Sequence, residues 1–352
     1  MGSFRRSCRL APEWHGPTRW PLPAITLWAT PTALRFLAVL CAICWATGCE
    51  PPSAGRVSRP EKNAIAFIGA GQDDSLWPVL RAGAERYVAE FGVKGVHIEA
   101  PRRTSPMAQI ALLDTLHGRG FRGACVQVND ARLMAPAIRR LCGQGLRVIT
   151  MVHDAAEEVR HGFCGLNNAA IGQRLAEATA QALHNAGSVI VLHAGAEHDT
   201  FGDRLWAFRE ALSRHTRVRC YFWLDCQASA SEAERLIRGH LERYPNLDAF
   251  VTLDDWPLRF LEGKPKLLPG SCKLITFGAR PGNWRYLQDG TCAALVEADH
   301  RRTGYDALML CDKAVQHQEL IVNRIELPLV VVTTDSLDEF MVDWVAWSNP
   351  AG

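Results

Sequence analysis

From residue 64 onward the chain alternates short apolar runs with longer amphipathic stretches, and that alternation limits the fold more than any other feature. AIAFIGAG (64–71) is short and almost wholly apolar, the pattern of a strand buried on both faces. LWPVLRAGAERYVAEFG (76–92) follows, with Val79, Leu80, Ala84, Tyr87, Val88 and Phe91 at helical spacing and Gly92 as a stop. VHIEA (96–100), ACVQV (124–128) and RVITMV (147–152) predict further strands, with helices through 107–116 and 133–141 between them. Strand–helix–strand units repeated in this way give a parallel sheet covered on both faces, because the crossover is right-handed. After GFCGLNN (162–168) the pattern restarts. Helices are expected at 169–185, 202–213, 231–243, near 282–288 and at 302–316, and strands at 188–194, 218–224, 249–253, 273–278, 293–298 and 327–334. The expected class is α/β: two doubly wound, Rossmann-like parallel-sheet lobes joined by a hinge.

The region before residue 62 belongs to a different kind of sequence. Phe36 to Ala46 is an apolar run of eleven residues, too short for the roughly 20 a spanning helix needs, but of the length of a secretory apolar core. Arg35 precedes it, and Ala46-Thr47-Gly48 supplies small side chains directly before Cys49. This resembles the lipobox of bacterial lipoproteins, in which the cysteine carries diacylglycerol and an acylated amine; Ala46 stands where that family usually has Leu. Several acyl chains hold a protein on a membrane where one would not. An uncleaved anchor or an ordinary signal peptide are the alternatives. Residues 1–48 are therefore set apart as a leader and 49–61, containing PPSAGRVSRP, as a flexible tether.

Charge and cysteine usage exclude some classes. Basic residues number 39 against 37 acidic, a net +2, with no basic run of the kind that binds nucleic acid. Of 12 cysteines, eight follow Cys49 and none form a CxxC pair, so no zinc site is expected. Cys125, Cys164 and Cys292 fall in apolar strand-like runs, where a thiol acts as a small hydrophobe. GAGQDD lacks the third glycine of a dinucleotide fingerprint, and Asp73 and Asp74 would repel a pyrophosphate there. HAGAEH, with His193, Glu197 and His198, straddles a strand end rather than one helical face, so a catalytic metal is not expected. There is no GxSxG elbow. No cofactor is implied.

Open parallel sheets bind ligands beyond the carboxyl ends of their strands. The residues there are Gln72, Asp73, Asp74 and Trp77, then Asn129 and Asp130, then His153 and Asp154, then Asn167 and Asn168. In the second half they are Asp254, Asp255, Trp256, Glu297 and Asp299. Carboxylates and amides beside indole rings are the chemistry of a sugar or polyol site. Each member has a plainer reading as well: Asp73, Asp74 and Ser75 could cap the first helix, and Asp130 the next.

The order of these stretches resembles the periplasmic sugar-binding proteins of the ribose/galactose type, whose fold is shared by LacI-like effector domains. The resemblance runs from about Lys62 to Phe340 through KNAIAFIGAG…DDSLWPVLRAGAERYVAEFG, VQVNDARLMAPAIRRLCGQGLRVITMVHDA, GLNNAAIGQRLAEA, DRLWAFREAL, YPNLDAFVTLDD, LITFGARPGNWRYLQDG and LPLVVVTTDSLDEF. It implies lobes of 62–166 plus 299–324 and of 167–298 plus 325–347. It implies an exported protein that holds a small polar ligand for an ABC-transporter permease, or for a chemoreceptor or sensor kinase. An interlobe-carboxylate hydrolase is a third reading. Carried over residue by residue, Asp74 and Trp77 take the first-loop ligand positions, Asp130 and Asp255 the acidic ligands of the two lobes, and Asn167 lies at the crossover. His153 stands where the family usually has an arginine, Gly202 replaces another, and Ala298 a glutamine. Those losses predict a pocket more acidic than a pentose site, suited to a ligand with its own donors or to a cation; a sugar site re-tuned around His153, or a degenerate site, are the alternatives.

Overall fold

Two six-stranded sheets, each flanked by helices, account for the residues described by the computed structural model, namely 63–195, 201–261, 268–316, 320 and 322–349. The leader, the tether and Cys49 lie outside them. All described residues belong to one compact unit. Among them no helix is long and apolar enough to cross a membrane.

The first sheet runs β11-β5-β4-β3-β1-β2. Its strands are β1 (Ile65–Ile68), β2 (Val96–Glu99), β3 (Gly123–Gln127), β4 (Arg147–Val152), β5 (Gly162–Gly165) and β11 (Arg324–Glu326), all parallel to their neighbours. Helices α1 (Trp77–Phe91), α2 (Pro106–Leu113) and α3 (Ala131–Gly143) connect the first four. Each starts as its sequence dictates. Pro78 opens α1, Ser105 caps α2 by accepting from Ala108 N at 3.3 Å, and Asp130 caps α3 by accepting from Leu133 N at 2.8 Å. Gly92, at φ 62°, ends α1 in the left-handed region that glycine tolerates.

The second sheet runs β12-β10-β9-β8-β6-β7. Its strands are β6 (Gly187–His193), β7 (Val218–Asp225), β8 (Ala249–Thr252), β9 (Lys273–Phe277), β10 (Cys292–Ala298) and β12 (Leu329–Val332). Between them lie α4 (Asn168–Ala182), α5 (Gly202–Ser213), α6 (Ala230–Arg243), α7 (Trp256–Leu261) and α8 (Arg285–Gln288). The edge strand β12 is antiparallel to β10, the one departure from the expected parallel arrangement among the described strands. After β10 the chain returns to the first lobe as α9 (Thr303–Val315), and it ends in α10 (Leu337–Trp347).

The polypeptide thus passes between sheets after β5, after β10 and after β11. The third crossing, expected at 324–325, follows Glu326, because β11 pairs with β5. Four elements were not legible as such: β5, β11, α7 and α10. The four residues of β5 include two glycines, and Gly165 is required there, since a Cβ would sit 2.5 Å from Val152 O. Helix α10 exposes Val342 and Val345 while burying Phe340, Trp344 and Trp347, which blurs its helical period.

Small residues set the helix contacts. A Cβ on Gly304 of α9 would fall 1.9 Å from Leu80 O of α1, and one on Gly172 of α4 would fall 2.2 Å from Arg204 O of α5. These pairs pack backbone to backbone. The eight described cysteines are free, and six are buried. Burial holds the Cys164 and Cys292 thiols well above their usual range, which keeps them unreactive.

Candidate functional site

The loop after β1 is held by two buried glutamines that the sequence reading passed over. Gln127 Oε1 accepts from Ala70 N at 2.9 Å, while its Nε2 donates to Asp74 Oδ2 at 2.5 Å. Gln109 Nε2 donates to Gly69 O at 3.0 Å and Gln127 O at 2.6 Å. Asp74 also accepts from Leu76 N at 3.0 Å, closing a local turn before α1 rather than capping it, since that helix has no side-chain cap. Asp73 instead anchors the neighbouring loop, accepting from Thr104 N at 2.6 Å and Thr104 Oγ1 at 2.8 Å. Trp77 is 7% exposed and lies under Gly69 against Phe67, so its indole is part of the core.

His153 leaves β4 through a strained turn. Val152 has φ 67°, a region β-branched residues rarely enter, and His153 N donates to Met151 O at 2.9 Å to close a three-residue γ-turn. Such strain persists where surrounding structure enforces it, typically at functional positions. Asn129 lies at the neighbouring strand end, two residues beyond the Gln127–Met151 pairing. Asn129 Nδ2 and His153 Nδ1 are both buried, with no hydrogen-bond partner among the described residues. Native buried polar groups are nearly always satisfied, so orphans at strand ends mark a place for a polar ligand.

The second lobe presents two guanidiniums. Arg204, on the first turn of α5, is fully buried between the Phe201 and Phe277 rings, 5.1 and 4.7 Å from their centroids. It donates to Asn168 Oδ1 at 2.7 Å and Leu253 O at 2.5 Å, and it pairs with Asp254 at 3.5 Å. Arg280, in the loop after β9, donates through Nε to Glu297 Oε2 at 2.9 Å. Its Nη1 reaches the first lobe, 3.4 Å from Ser75 Oγ and 3.9 Å from Asp74 Oδ1. Gly202 and Ala298 supply no such donors, but Arg280 brings a guanidinium to the rim beside Asp74, whereas Arg204 is buried within the second lobe. Burial opposes ionisation of Glu297, yet Arg280 and His300 outweigh it and bring the carboxyl down to about 2. Asp255 faces Gly278, where a Cβ would lie 3.1 Å from its own, and it acts electrostatically on both arginines.

These groups form one constellation. Burial, then Arg204, Arg280 and His300, push the His153 imidazole down to about 4, with Asp74 opposing, so groups of both lobes act on this one ring. Asp130 and Asn167 are placed differently. Asp130 caps α3. Asn167 caps α4 by accepting from Ala170 N at 2.9 Å and donates to Glu326 at 2.7 Å, tying one interlobe strand to another. Asp154, bound by Arg160 at 2.6 Å and Thr150 at 2.8 Å, is a local anchor. No cluster able to hold a metal occurs among the described residues; Glu197 and His198 lie outside them.

A depressed imidazole has a definite consequence for stability. Native His153 stays neutral while the unfolded ring takes up a proton below its ordinary value of 6.5, so stability is full above that pH and is lost as pH falls from 6.5 toward 4. The loss by pH 4.5 should reach about 2 kcal/mol. His153→Gln should flatten that part of the urea-denaturation profile; parallel profiles for variant and wild type would refute the assignment.

A family profile described as a periplasmic binding protein domain matches residues 65–319. The chain belongs to that family. Its two α/β lobes have the type I periplasmic-binding-protein fold, as similar solved structures show. An arabinose-binding protein from Geobacillus stearothermophilus aligns with a TM-score of 0.69 at 18% identity, covering 80% of this chain and 99% of that one. A glucose-galactose binding protein from the same organism aligns at 0.66 and 19%, covering 79% and 99%. A solute-binding protein from Burkholderia graminis in complex with D-arabinose aligns at 0.64 and 19%, covering 78% and 96%. No curated protein matches the chain by sequence.

Proposed function

We infer that the protein is an exported solute-binding protein that captures a monosaccharide or similar polyol between its lobes and presents the closed form to an ABC-transporter permease. The observation that carries this reading is the set at the strand ends: Asp74 and the unpartnered His153 Nδ1 on one lobe, Asp255 and Arg280 on the other. Carboxylates accept from neighbouring sugar hydroxyls, while a neutral imidazole and a guanidinium serve the ring and hydroxyl oxygens. Asp130, although it caps α3 through Oδ1, is proposed to keep its Oδ2 for the ligand. A ligand touching both lobes stabilises the closed form by its greater affinity for that form. Structural neighbours bound to D-arabinose, D-allose and D-fucose support a monosaccharide.

The test is a thermal-shift screen of residues 60–352 against D-glucose, D-galactose, D-arabinose, D-allose and D-fucose, followed by recovery of the ligand. Stabilisation by at least one sugar, recovered intact, is expected. A hydrolase would release product, and no response to any sugar would reject the reading.

Cys49 is proposed as the lipid-bearing residue, placing the binding domain on a short tether at the membrane. Full-length protein should fractionate with envelope membranes, and Cys49→Ser should release it; membrane retention of the variant would reject lipidation there.

A further inference from the structure

Arg280 sits on a loop whose shape is imposed from behind. The chain leaves β9 at Gly278, whose φ of 110° only glycine adopts without strain, and turns through Pro281–Asn283 into α8. Three successive carbonyls of that loop are captured by two successive residues. Asn283 Nδ2 donates to Gly278 O at 2.8 Å, Trp284 Nε1 donates to Ala279 O at 3.0 Å, and Asn283 N donates to Arg280 O at 2.8 Å. The Trp284 ring is in turn wedged edge-on against α10, its centroid 6.4 Å from that of Phe340 and 6.2 Å from that of Trp344. Phe340 and Trp344 both pack on Trp347, each with centroids 5.7 Å apart. Thr334 Oγ1, just before α10, donates to Leu287 O at 3.2 Å, in the short helix α8 that follows the loop.

We propose that Asn283 and Trp284 are positioning residues for Arg280, and that through them the C-terminal helix sets the affinity of the interlobe cleft. Arg280 has several rotatable bonds, and it meets Glu297, Ser75 and Asp74 together only if its own backbone is fixed. The Trp284 N–H fixes the carbonyl immediately before it, and the aromatic stack fixes Trp284. A purely structural aromatic cluster would need the ring but not that N–H. The proposal rests on the reading of the cleft as the sugar site, and the experiment separates the two.

Trp284→Phe keeps a ring against Phe340 and Trp344 and deletes only the donor; Asn283→Ala deletes the other side-chain tie. Two quantities are measured on the whole chain: the dissociation constant for whichever screened monosaccharide stabilises the wild type most, and, without sugar, the exchange rate of the Arg280 Nε–H by 15N NMR. Each variant should weaken sugar binding about fivefold, the worth of one ordinary hydrogen bond. Each should also speed Arg280 Nε–H exchange, and in an Arg280→Lys background neither should weaken binding further. Unchanged Nε–H exchange in both variants would overturn the proposal whatever the sugar data show. If no sugar binds even the wild type, the function reading fails, and exchange alone decides the positioning role. If Trp284→Phe does not fold, Asn283→Ala carries the same test.

Discussion

Arg280→Ala should cost about 3–5 kcal/mol of folding stability and abolish sugar-induced stabilisation, because it strands a buried charge and removes an interlobe donor in one step. Glu297 is fully buried, and its near contacts are Arg280 Nε at 2.9 Å, Ala298 N at 2.9 Å and His300 Nε2 at 3.6 Å. Without the guanidinium, a carboxylate in that place has lost its main compensation for desolvation. Urea denaturation should show the cost for Arg280→Ala and a much smaller one for a double variant in which Glu297 becomes Leu. The acid limb offers a second readout. Glu297 is depressed from 4.5 to about 2, so its contribution is present above 4.5 and fades as pH falls toward 2. Arg280→Ala should flatten that limb. A cost below about 1 kcal/mol would show that the pair is not the buried ion pair described here.

Arg204→Ala should be as costly, about 3–5 kcal/mol, but for a different reason and with a different functional signature. Its guanidinium is spent inside the second lobe, on Asn168, Leu253 and Asp254, and its stem and plane fill the slot between Phe201 and Phe277. Alanine would open a cavity and leave Asp254 short of its cation. Arg204→Met, which refills the slot, should recover part of the stability. Arg204 has no hydrogen bond or ion pair to the first lobe among those described, so sugar affinity in the Met variant should fall less than in Arg280→Ala. Loss of sugar response with stability intact would instead make Arg204 a direct ligand.

The two arginines also show where sequence reading reached and where it stopped. Strand ends were legible because continuous apolar runs and helix spacing fix the lobes, and that is how Asp74, His153 and Asp255 were placed at strand ends. Arg204 carried a signal that went unused. It shares a helical face with Phe208 and Ala211, both buried, so its spacing alone placed it inward. Gln127 gave a similar hint as a lone polar residue in the buried run ACVQV. Arg280 gave none, because a loop residue has no period, and its partner Glu297 lies on a different strand. Asp130 and Asn167 illustrate the converse: a residue at a strand end is also at a helix start, and its position alone cannot separate cap from ligand contact.

The central claim is that a small hydrophilic molecule sits between the lobes, and a crystal structure of the protein with its most stabilising monosaccharide tests it most directly. The sugar should lie within about 3 Å of Asp74 and His153 Nδ1 on one side and of Asp255 or Arg280 on the other. A sugar seated on an outer face, such as the groove lined by Gln173, Asp203 and the exposed Trp206, with those four residues untouched, would contradict the account.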